Sequence, residues 1–126
     1  MKKTQTGPDV NLMFSAFSDR TRLRILHLIR KEELCVGDLV KVLQLPQPTV
    51  SRHLSYLRRA GLVVSRKAGL WMYYLLARPS TEFHERLYAC LDACFTDVPE
   101  LKADGARASK LRKGGGCCPP DHGKKV

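Results

Sequence analysis

The sequence predicts a mainly α-helical fold with a β-hairpin (α+β), in the order α-α-α-α-β-β-α followed by a flexible tail. Apolar residues recur at helical spacing over 10–60 and again over 82–96. Over 62–76 the period changes to 2, which is typical of strands. A chain of 126 residues provides one domain. We therefore expect an N-terminal arm (1–9), a folded domain (10–98) and a flexible basic tail rich in glycine (99–126).

Three helices are expected in the first third of the chain. Val10–Phe17 is too apolar to be solvated on all sides, so it is expected to pack on a partner. Ser18 and Asp19 offer an N-cap for a second helix that continues through Lys31. After a connection over 32–35, Val36–Leu43 carries apolar residues at i, i+3, i+4 and i+7, which predicts a third helix.

The segment 45–63 is typical of the turn and second helix of a DNA-binding helix-turn-helix. Pro48 suits the first position of a helix, and Gly61 stops it. Apolar residues at i, i+4 and i+7 give the helix one buried stripe, while its free face carries no carboxylate. The residues predicted to contact bases or phosphates are Gln47, Thr49, Ser51, Arg52, His53 and Tyr56. For His53, which is near the stripe, a structural role is the alternative.

The charge distribution supports nucleic-acid binding over a wider window. The chain has a formal net charge of +10, and no acidic residue stands between Asp38 and Glu82. Basic residues recur throughout that window, which is the pattern expected of a phosphate-binding surface. The alternative is a solvated basic face without a partner. The basic residues in question are Lys41, Arg52, Arg58, Arg59, Arg66, Lys67 and Arg78.

A β-hairpin is expected directly after this helix. The segments 62–67 and 70–76 alternate as strands do, and Ala68-Gly69 supplies the turn. Arg66 and Lys67 lie beside the turn, so we predict that they contact the flanking DNA backbone. A hairpin that only covers the core is the alternative. With the preceding helices, the hairpin predicts a winged helix-turn-helix.

Four segments together resemble the ArsR family of arsenic- and metal-responsive repressors. They are Asp-Arg-Thr-Arg-Leu-Arg-Ile-Leu at 19–26, Glu-Leu-Cys-Val-Gly-Asp-Leu at 33–39, the stretch 47–62 with its Ser-Arg-His-Leu core, and Trp-Met-Tyr-Tyr at 71–74. The resemblance implies a homodimer, held by its first and last helices, that binds an inverted repeat and loses DNA affinity on binding an inducer. The apolar segments 10–17 and 83–95 are consistent with such a dimer surface. Ordinary core helices are the alternative.

The five cysteines depart from the family's pattern. Founding members of the family carry Cys-Val-Cys-Asp-Leu-Cys at the third helix, whereas here Gly37 and Val40 replace two of those cysteines. A lone thiol cannot make that site, so Cys35 is interpreted as a small buried residue rather than an inducer ligand.

The remaining cysteines predict a different site. Cys90 and Cys94 are at i and i+4, so their Cβ atoms lie roughly 5–6 Å apart on one helix face. Cys117 and Cys118 follow a glycine run, and the intervening segment is long enough to fold back onto the same or the other subunit. Because thiolates select soft ions, we expect As(III), and Sb(III) as a second ion. The predicted ligands are Cys90, Cys94 and one or both of Cys117 and Cys118. The alternative is core cysteines with an incidental tail pair.

Other functions find less support in the sequence. His84 and His122 are isolated, which argues against zinc. No phosphate loop, paired carboxylates or nucleophile–base pair indicates an enzyme. Thiol redox or persulfide sensing through Cys35 and Cys94, sensing of another soft metal, and arsenic scavenging with incidental DNA binding are the alternatives. A polar N-terminus and the lack of a run of about 18 apolar residues predict a cytoplasmic protein without a membrane span.

Overall fold

The computed structural model describes residues 9–116. Its elements confirm the predicted fold class of helices with a β-hairpin, and add one helix and one short strand. In chain order they are α1 (Val10–Phe17), α2 (Arg20–Lys31), β1 (Leu34–Cys35), α3 (Val36–Leu43), α4 (Gln47–Arg59), β2 (Val63–Ala68), β3 (Trp71–Leu76), α5 (Glu82–Ala93) and α6 (Pro99–Lys113). Among the described residues, no helix is long and apolar enough to cross a membrane.

The helix-turn-helix is formed by α3 and α4. The predicted stripe of α4 is buried, with Val50 0%, Leu54 1% and Leu57 0% exposed. After α4, Gly61 adopts a φ of +81°, and its N–H donates to the Arg58 carbonyl at 3.0 Å. The Leu62 N–H donates to the Leu57 carbonyl at 3.0 Å, which completes a Schellman cap. The glycine therefore ends the helix as predicted and turns the chain into the hairpin.

The three strands form an antiparallel sheet in the order β1-β3-β2. In the hairpin, Ala68 is opposite Trp71, and Gly69 in the turn has a φ of +63°. On the other edge of β3, Cys35 is opposite Tyr73. Residues 32–35 were expected to form only a connection, because a two-residue strand is too short to show a period of 2.

Helix α6 corrects the expectation of a flexible tail from residue 99 onward. The 15 residues of Pro99–Lys113 are helical, and the helix packs on α2 and α3. Pro99 occupies its first position instead of terminating the preceding helix. The buried positions are Leu101, Asp104 and Ala108. Because one of these is a carboxylate and another an alanine, the buried face gave no clear apolar period in a segment rich in Lys, Ala and Gly.

The buried carboxylate of α6 is neutralised by α2. Arg24 donates to both oxygens of Asp104, from Nε at 2.8 Å and from Nη2 at 2.9 Å. Arg107 adds a further hydrogen bond to Asp104 at 2.8 Å, and Asp104 itself is 0% exposed. This bidentate contact anchors α6 to the core.

Candidate nucleic-acid interface

The outer face of α4 presents the polar side chains that the sequence predicts to contact DNA. Gln47 and Arg52 are exposed, while Thr49 and Ser51 are half-buried at the start of the helix. No side chain caps the first turn of α4, whose N-cap is Pro46. Pro48 is at the second helical position, not the first, and has no N–H, while the Thr49 N–H donates to the Pro46 carbonyl at 3.1 Å. An approach of this end of α4 to DNA therefore depends on its polar side chains.

His53 is held against α2. Its Nδ1 lies 3.4 Å from Arg22 Nη1 and 3.9 Å from Asp19 Oδ2. Burial lowers the pKa of His53 below its usual value, which favours the neutral ring at neutral pH. These contacts favour the structural alternative for His53 over direct contact with DNA.

The Tyr56 ring makes cation–π contacts with two guanidinium groups. Arg22 is 4.0 Å from the centroid of the Tyr56 ring and Arg59 is 5.3 Å from it. Arg22 also donates to the carbonyls of Ala16 at 3.2 Å and Ser15 at 3.0 Å. Cation–π contacts of this kind fix both partners. Tyr56 therefore helps to hold α4 against α1 and α2.

The two predicted residues of the wing differ in their surroundings. Arg66 Nε donates to Glu33 Oε1 at 2.9 Å, and its guanidinium lies 5.2 Å from the centroid of the Tyr73 ring. Lys67 is exposed. Lys67 is thus available to a phosphate, whereas Arg66 joins the wing to the residue that precedes β1.

Two arginines were left out of the predicted contact set. Arg58 and Arg59 are exposed at the end of α4 and, with Ser55 and Ser65, line an open groove between α4 and β2. They belong to the basic window noted in the sequence. Helical spacing alone did not select them, because they lie beyond the first turns in which base contacts are expected.

The cysteines of the folded region divide into two groups. Cys90 is exposed on α5, Cys94 is half-buried at its C-cap, and both are free thiols. Burial raises the pKa of Cys94. Cys35 is 1% exposed, as predicted, but it is disulfide-bonded. Cys117 and Cys118 lie outside the described residues, and within 9–116 no three His, Cys, Asp or Glu side chains are grouped as metal ligands.

An apolar surface lies across α1 and α5. Val10 is 44% exposed and Phe14 is 55% exposed. The Phe14 ring meets the Phe83 ring edge to face, with their centroids 5.2 Å apart. The two helices that the sequence analysis assigned to the dimer surface are therefore adjacent, although α6, and not α5, is the last helix.

Comparison with known proteins identifies the family to which this chain is similar. A family model described as "Bacterial regulatory protein, arsR family" matches residues 19–65. The arsenic resistance transcriptional regulator ArsR1 of Pseudomonas putida is 44% identical over 113 residues, covering 89% of this chain and 80% of that protein. The chain belongs to the ArsR family. Its membership confirms the resemblance found in the sequence and makes it a transcription regulator, in a family that is not enzymatic.

Solved ArsR-like structures share the fold. HlyU from Vibrio cholerae superposes with a TM-score of 0.61 at 31% identity, covering 69% of this chain and 91% of that one. Mb0332 from Mycobacterium bovis has a TM-score of 0.59 at 28% identity, covering 70% of this chain and 79% of that one. The latter is described as a homodimeric winged helix-turn-helix DNA-binding domain. The ArsR-family chain described here has the same fold, and its winged helix-turn-helix is its DNA-binding element.

Proposed function

We propose that this protein is a homodimeric repressor that releases its operator on binding trivalent arsenic through cysteine thiolates, which derepresses arsenic-resistance genes in the cytoplasm. The observation that carries the arsenic assignment is the 44% identity to an arsenic resistance regulator over 89% of this chain. Thiolates bind soft ions, so Sb(III) is expected to act in the same way. The protein needs no organic cofactor.

The DNA-reading part of the proposal rests on α4. The two α4 helices of a dimer enter successive major grooves of an inverted repeat, about one helical turn apart. Arg52 and the polar residues Gln47, Thr49 and Ser51 meet bases or phosphates from the exposed start of the helix. Lys67 supplies a backbone contact from the wing, and Tyr56 and His53 act mainly by holding α4 in place.

The dimer part of the proposal rests on the exposed apolar side chains of α1 and α5. Phe14 and Val10 are more exposed than large apolar side chains in a core, and they adjoin Phe83. Contiguous apolar surface of this kind marks an interaction site. A second copy of the chain, related by a two-fold axis, would cover the same surface on both protomers.

The proposed inducer ligands are Cys90, Cys94 and one or both of the tail cysteines Cys117 and Cys118. Cys90 and Cys94 are free thiols on the last turn of α5 and at its C-cap. The test is binding to a duplex selected in vitro with the unmodified protein, measured by fluorescence anisotropy with and without arsenite. Under a phosphine reductant, arsenite is expected to weaken binding by about 5- to 150-fold. The proposed function is wrong if the reduced protein binds this duplex equally well with arsenite.

One observation favours a second candidate function, thiol redox or persulfide sensing. Cys35 is disulfide-bonded, and it is buried in the sheet that carries the wing. Oxidation at this position could therefore alter the DNA-binding element. Release of the selected duplex by peroxide or polysulfide, but not by arsenite, would establish this alternative.

A further inference from the structure

A cavity of about 310 Å³ opens between α2 and α6. Its apolar wall is formed by Leu28 of α2, Leu34 of β1, Phe95 after α5 and Ala108 of α6. A volume of this size is at the lower end of the range for small-molecule pockets, which combine an apolar wall with a few polar groups. The cavity therefore has room for a small organic molecule, and it shares no residue with the proposed DNA contacts or the proposed inducer ligands.

His27 supplies a buried polar group at this cavity. It lines the cavity and is 4% exposed, and its ring stacks on Phe95 with the centroids 5.3 Å apart and an interplanar angle of 26°. Its Nδ1 has no hydrogen-bond partner among residues 9–116, which is costly for a buried nitrogen. Burial lowers the pKa of His27, so its ring is neutral at neutral pH. A ligand hydroxyl can both donate and accept, so it can pair with Nδ1 in either tautomer.

The charge at the mouth of the cavity is positive. Lys31 and Lys102 line the cavity and are exposed. Arg112 also lines it, but its guanidinium is paired with Glu32. No Asp or Glu of the described chain lines the cavity. Two exposed ammonium groups beside an apolar wall favour an amphipathic anion, whose charge stays at the mouth while its apolar part is buried.

Gly105 leaves space on the α6 side of the cavity. It is in the interior of α6, where glycine is less favourable than alanine. An added Cβ at this position would meet no packing partner within 4 Å, so the packing of the described chain does not require glycine here. Because Gly105 lines the cavity, its missing side chain lets a ligand approach the α6 backbone.

We propose that this cavity binds a small hydroxylated aromatic carboxylate, at a site separate from the cysteines of the proposed inducer site. The carboxylate lies at the mouth, near Lys31 and Lys102. The aromatic ring packs on Phe95, in the space beside Gly105. The hydroxyl pairs with Nδ1 of His27. Each part of such a ligand thus meets a group that the described chain leaves available.

The probe is para-hydroxybenzoate, titrated into the full-length reduced protein by isothermal titration calorimetry. We expect a single molecule to bind per chain. Benzoate lacks the hydroxyl and para-hydroxybenzamide lacks the charge, so each is expected to bind about fivefold more weakly. The proposal is wrong if para-hydroxybenzoate does not bind at millimolar concentration or if all three compounds bind alike. Since neither arsenite nor DNA is used, this result is independent of the test of the proposed function.

Two lysine variants separate this site from general attraction of anions to a chain of net charge +10. Lys102→Gln removes a lysine that lines the cavity. Lys110→Gln removes an exposed lysine of the same helix, which lines a different groove with Lys41. Both variants lower the net charge equally. Affinity for para-hydroxybenzoate is expected to fall about two- to fivefold in Lys102→Gln alone, and equal losses would contradict the site.

Gly105→Leu tests the space on the α6 side. Leucine favours helices more than glycine does, so the urea midpoint should not fall, whereas the affinity for para-hydroxybenzoate should fall by about tenfold or more because the side chain fills the cavity. Ala103→Leu adds a leucine to an exposed position of α6 outside the cavity, and its affinity should match that of wild type. Wild-type affinity in Gly105→Leu would overturn the proposal.

His27→Phe tests the buried end of the ligand. Phenylalanine keeps a ring against Phe95 but removes Nδ1. The variant is expected to lose the preference for para-hydroxybenzoate over benzoate and to retain its affinity for benzoate. Comparing two ligands in two proteins forms a double-mutant cycle, so a general loss of stability cannot produce this result. A preference that persists in His27→Phe would contradict the contact between the hydroxyl and His27.

Discussion

Asp104 shows how much one buried carboxylate can contribute to the position of a helix. It is 0% exposed and accepts hydrogen bonds from Arg24 and Arg107. Asp104→Ala leaves Arg24 without its bidentate partner, and breaking a buried pair in this way costs about 3 kcal/mol. We expect the urea midpoint to fall accordingly in chemical unfolding.

The control for that variant is an exposed ion pair. Glu82 pairs with Arg86 at 2.6 Å on the surface of α5, with both side chains about three-quarters exposed. Glu82→Ala is therefore expected to leave the midpoint nearly unchanged, because water screens such pairs. Equal losses in the two variants would mean that the Arg24–Asp104 contact does not anchor α6.

Two buried histidines make stability depend on pH. His27 and His84 are 4% and 2% exposed, and His27 Nδ1 and His84 Nε2 have no hydrogen-bond partner in the described part of the chain. Burial lowers the pKa of both in the folded protein, so below the unfolded value of about 6.5 the unfolded state binds more protons. The contribution of these histidines to the free energy of unfolding is therefore constant above about pH 7, falls as the pH decreases below about 6.5, and levels off below the folded pKa values.

Urea unfolding at a series of pH values measures this dependence. His84→Gln removes one titrating group and keeps a side chain that can accept the hydrogen bond that Ser80 N–H donates to His84 Nδ1 at 3.2 Å. The slope of stability against pH below neutrality is expected to be smaller in this variant. A slope identical to that of wild type would exclude a contribution from His84.

At the scale of elements, DNA affinity should be most sensitive to substitutions in α4. Arg52 is exposed at the start of the helix, with no acidic side chain in that window of the sequence. Arg52→Ala is expected to weaken binding to the selected duplex by about 1–3 kcal/mol if it reads a base, and to reduce the salt dependence if it neutralises a phosphate. Anisotropy titrations at two salt concentrations separate these cases.

Arg86→Ala is the matched control for Arg52→Ala. It removes another exposed arginine, from α5, far along the chain from α4. Its DNA affinity should match that of wild type. An equal loss in both variants would show that net charge, and not the face of α4, determines binding.

The elements that the sequence predicted well are those with a strong period. The bounds of α1 and α3 agree with the expectation, and the stripe Val50, Leu54 and Leu57 is buried. By contrast, α6 was missed because its buried face includes Asp104, whose burial is compensated by Arg24 from a distant part of the chain. Periodicity in one segment cannot reveal a partner 80 residues away.

The candidate sites show the same division between local and distant information. Local spacing predicted which face of α4 is free, yet it could not show that Arg66 binds Glu33 or that Tyr56 contacts Arg22 and Arg59. For the cysteines, local spacing predicted that Cys90 and Cys94 share one helix face. It could not show that Gly116, just after α6, lies so close to Asp38 that an added Cβ would be 3.3 Å from Asp38 Oδ1, because that contact depends on the length and direction of α6.

At the scale of the whole molecule, the proposed dimer depends on the exposed Phe14 ring of α1. Phe14 is 55% exposed and contacts Phe83. Phe14→Glu places a charge in the middle of the proposed dimer surface, where it would be buried without a partner. We expect sedimentation analysis to show a monomer and the selected inverted repeat to be bound more weakly.

Leu70→Glu is the control for that prediction. Leu70 is 95% exposed at the turn of the hairpin, so the same substitution adds the same charge to an apolar side chain away from α1 and α5. This variant should sediment as wild type does. A monomeric Leu70→Glu, or a dimeric Phe14→Glu, would place the subunit contact elsewhere.

The length of helix α6 also determines where Gly116 lies relative to Asp38. Deleting one residue from its exposed side would shorten it by about 1.5 Å and rotate everything beyond the deletion by about 100°. Gly116 would then leave Asp38, although every side chain at the end of α6 would be unchanged. We therefore expect relatives that share the contact between Gly116 and Asp38 to vary freely at exposed positions such as Lys102 and Ala106, but to keep the number of residues between Val98 and Gly116.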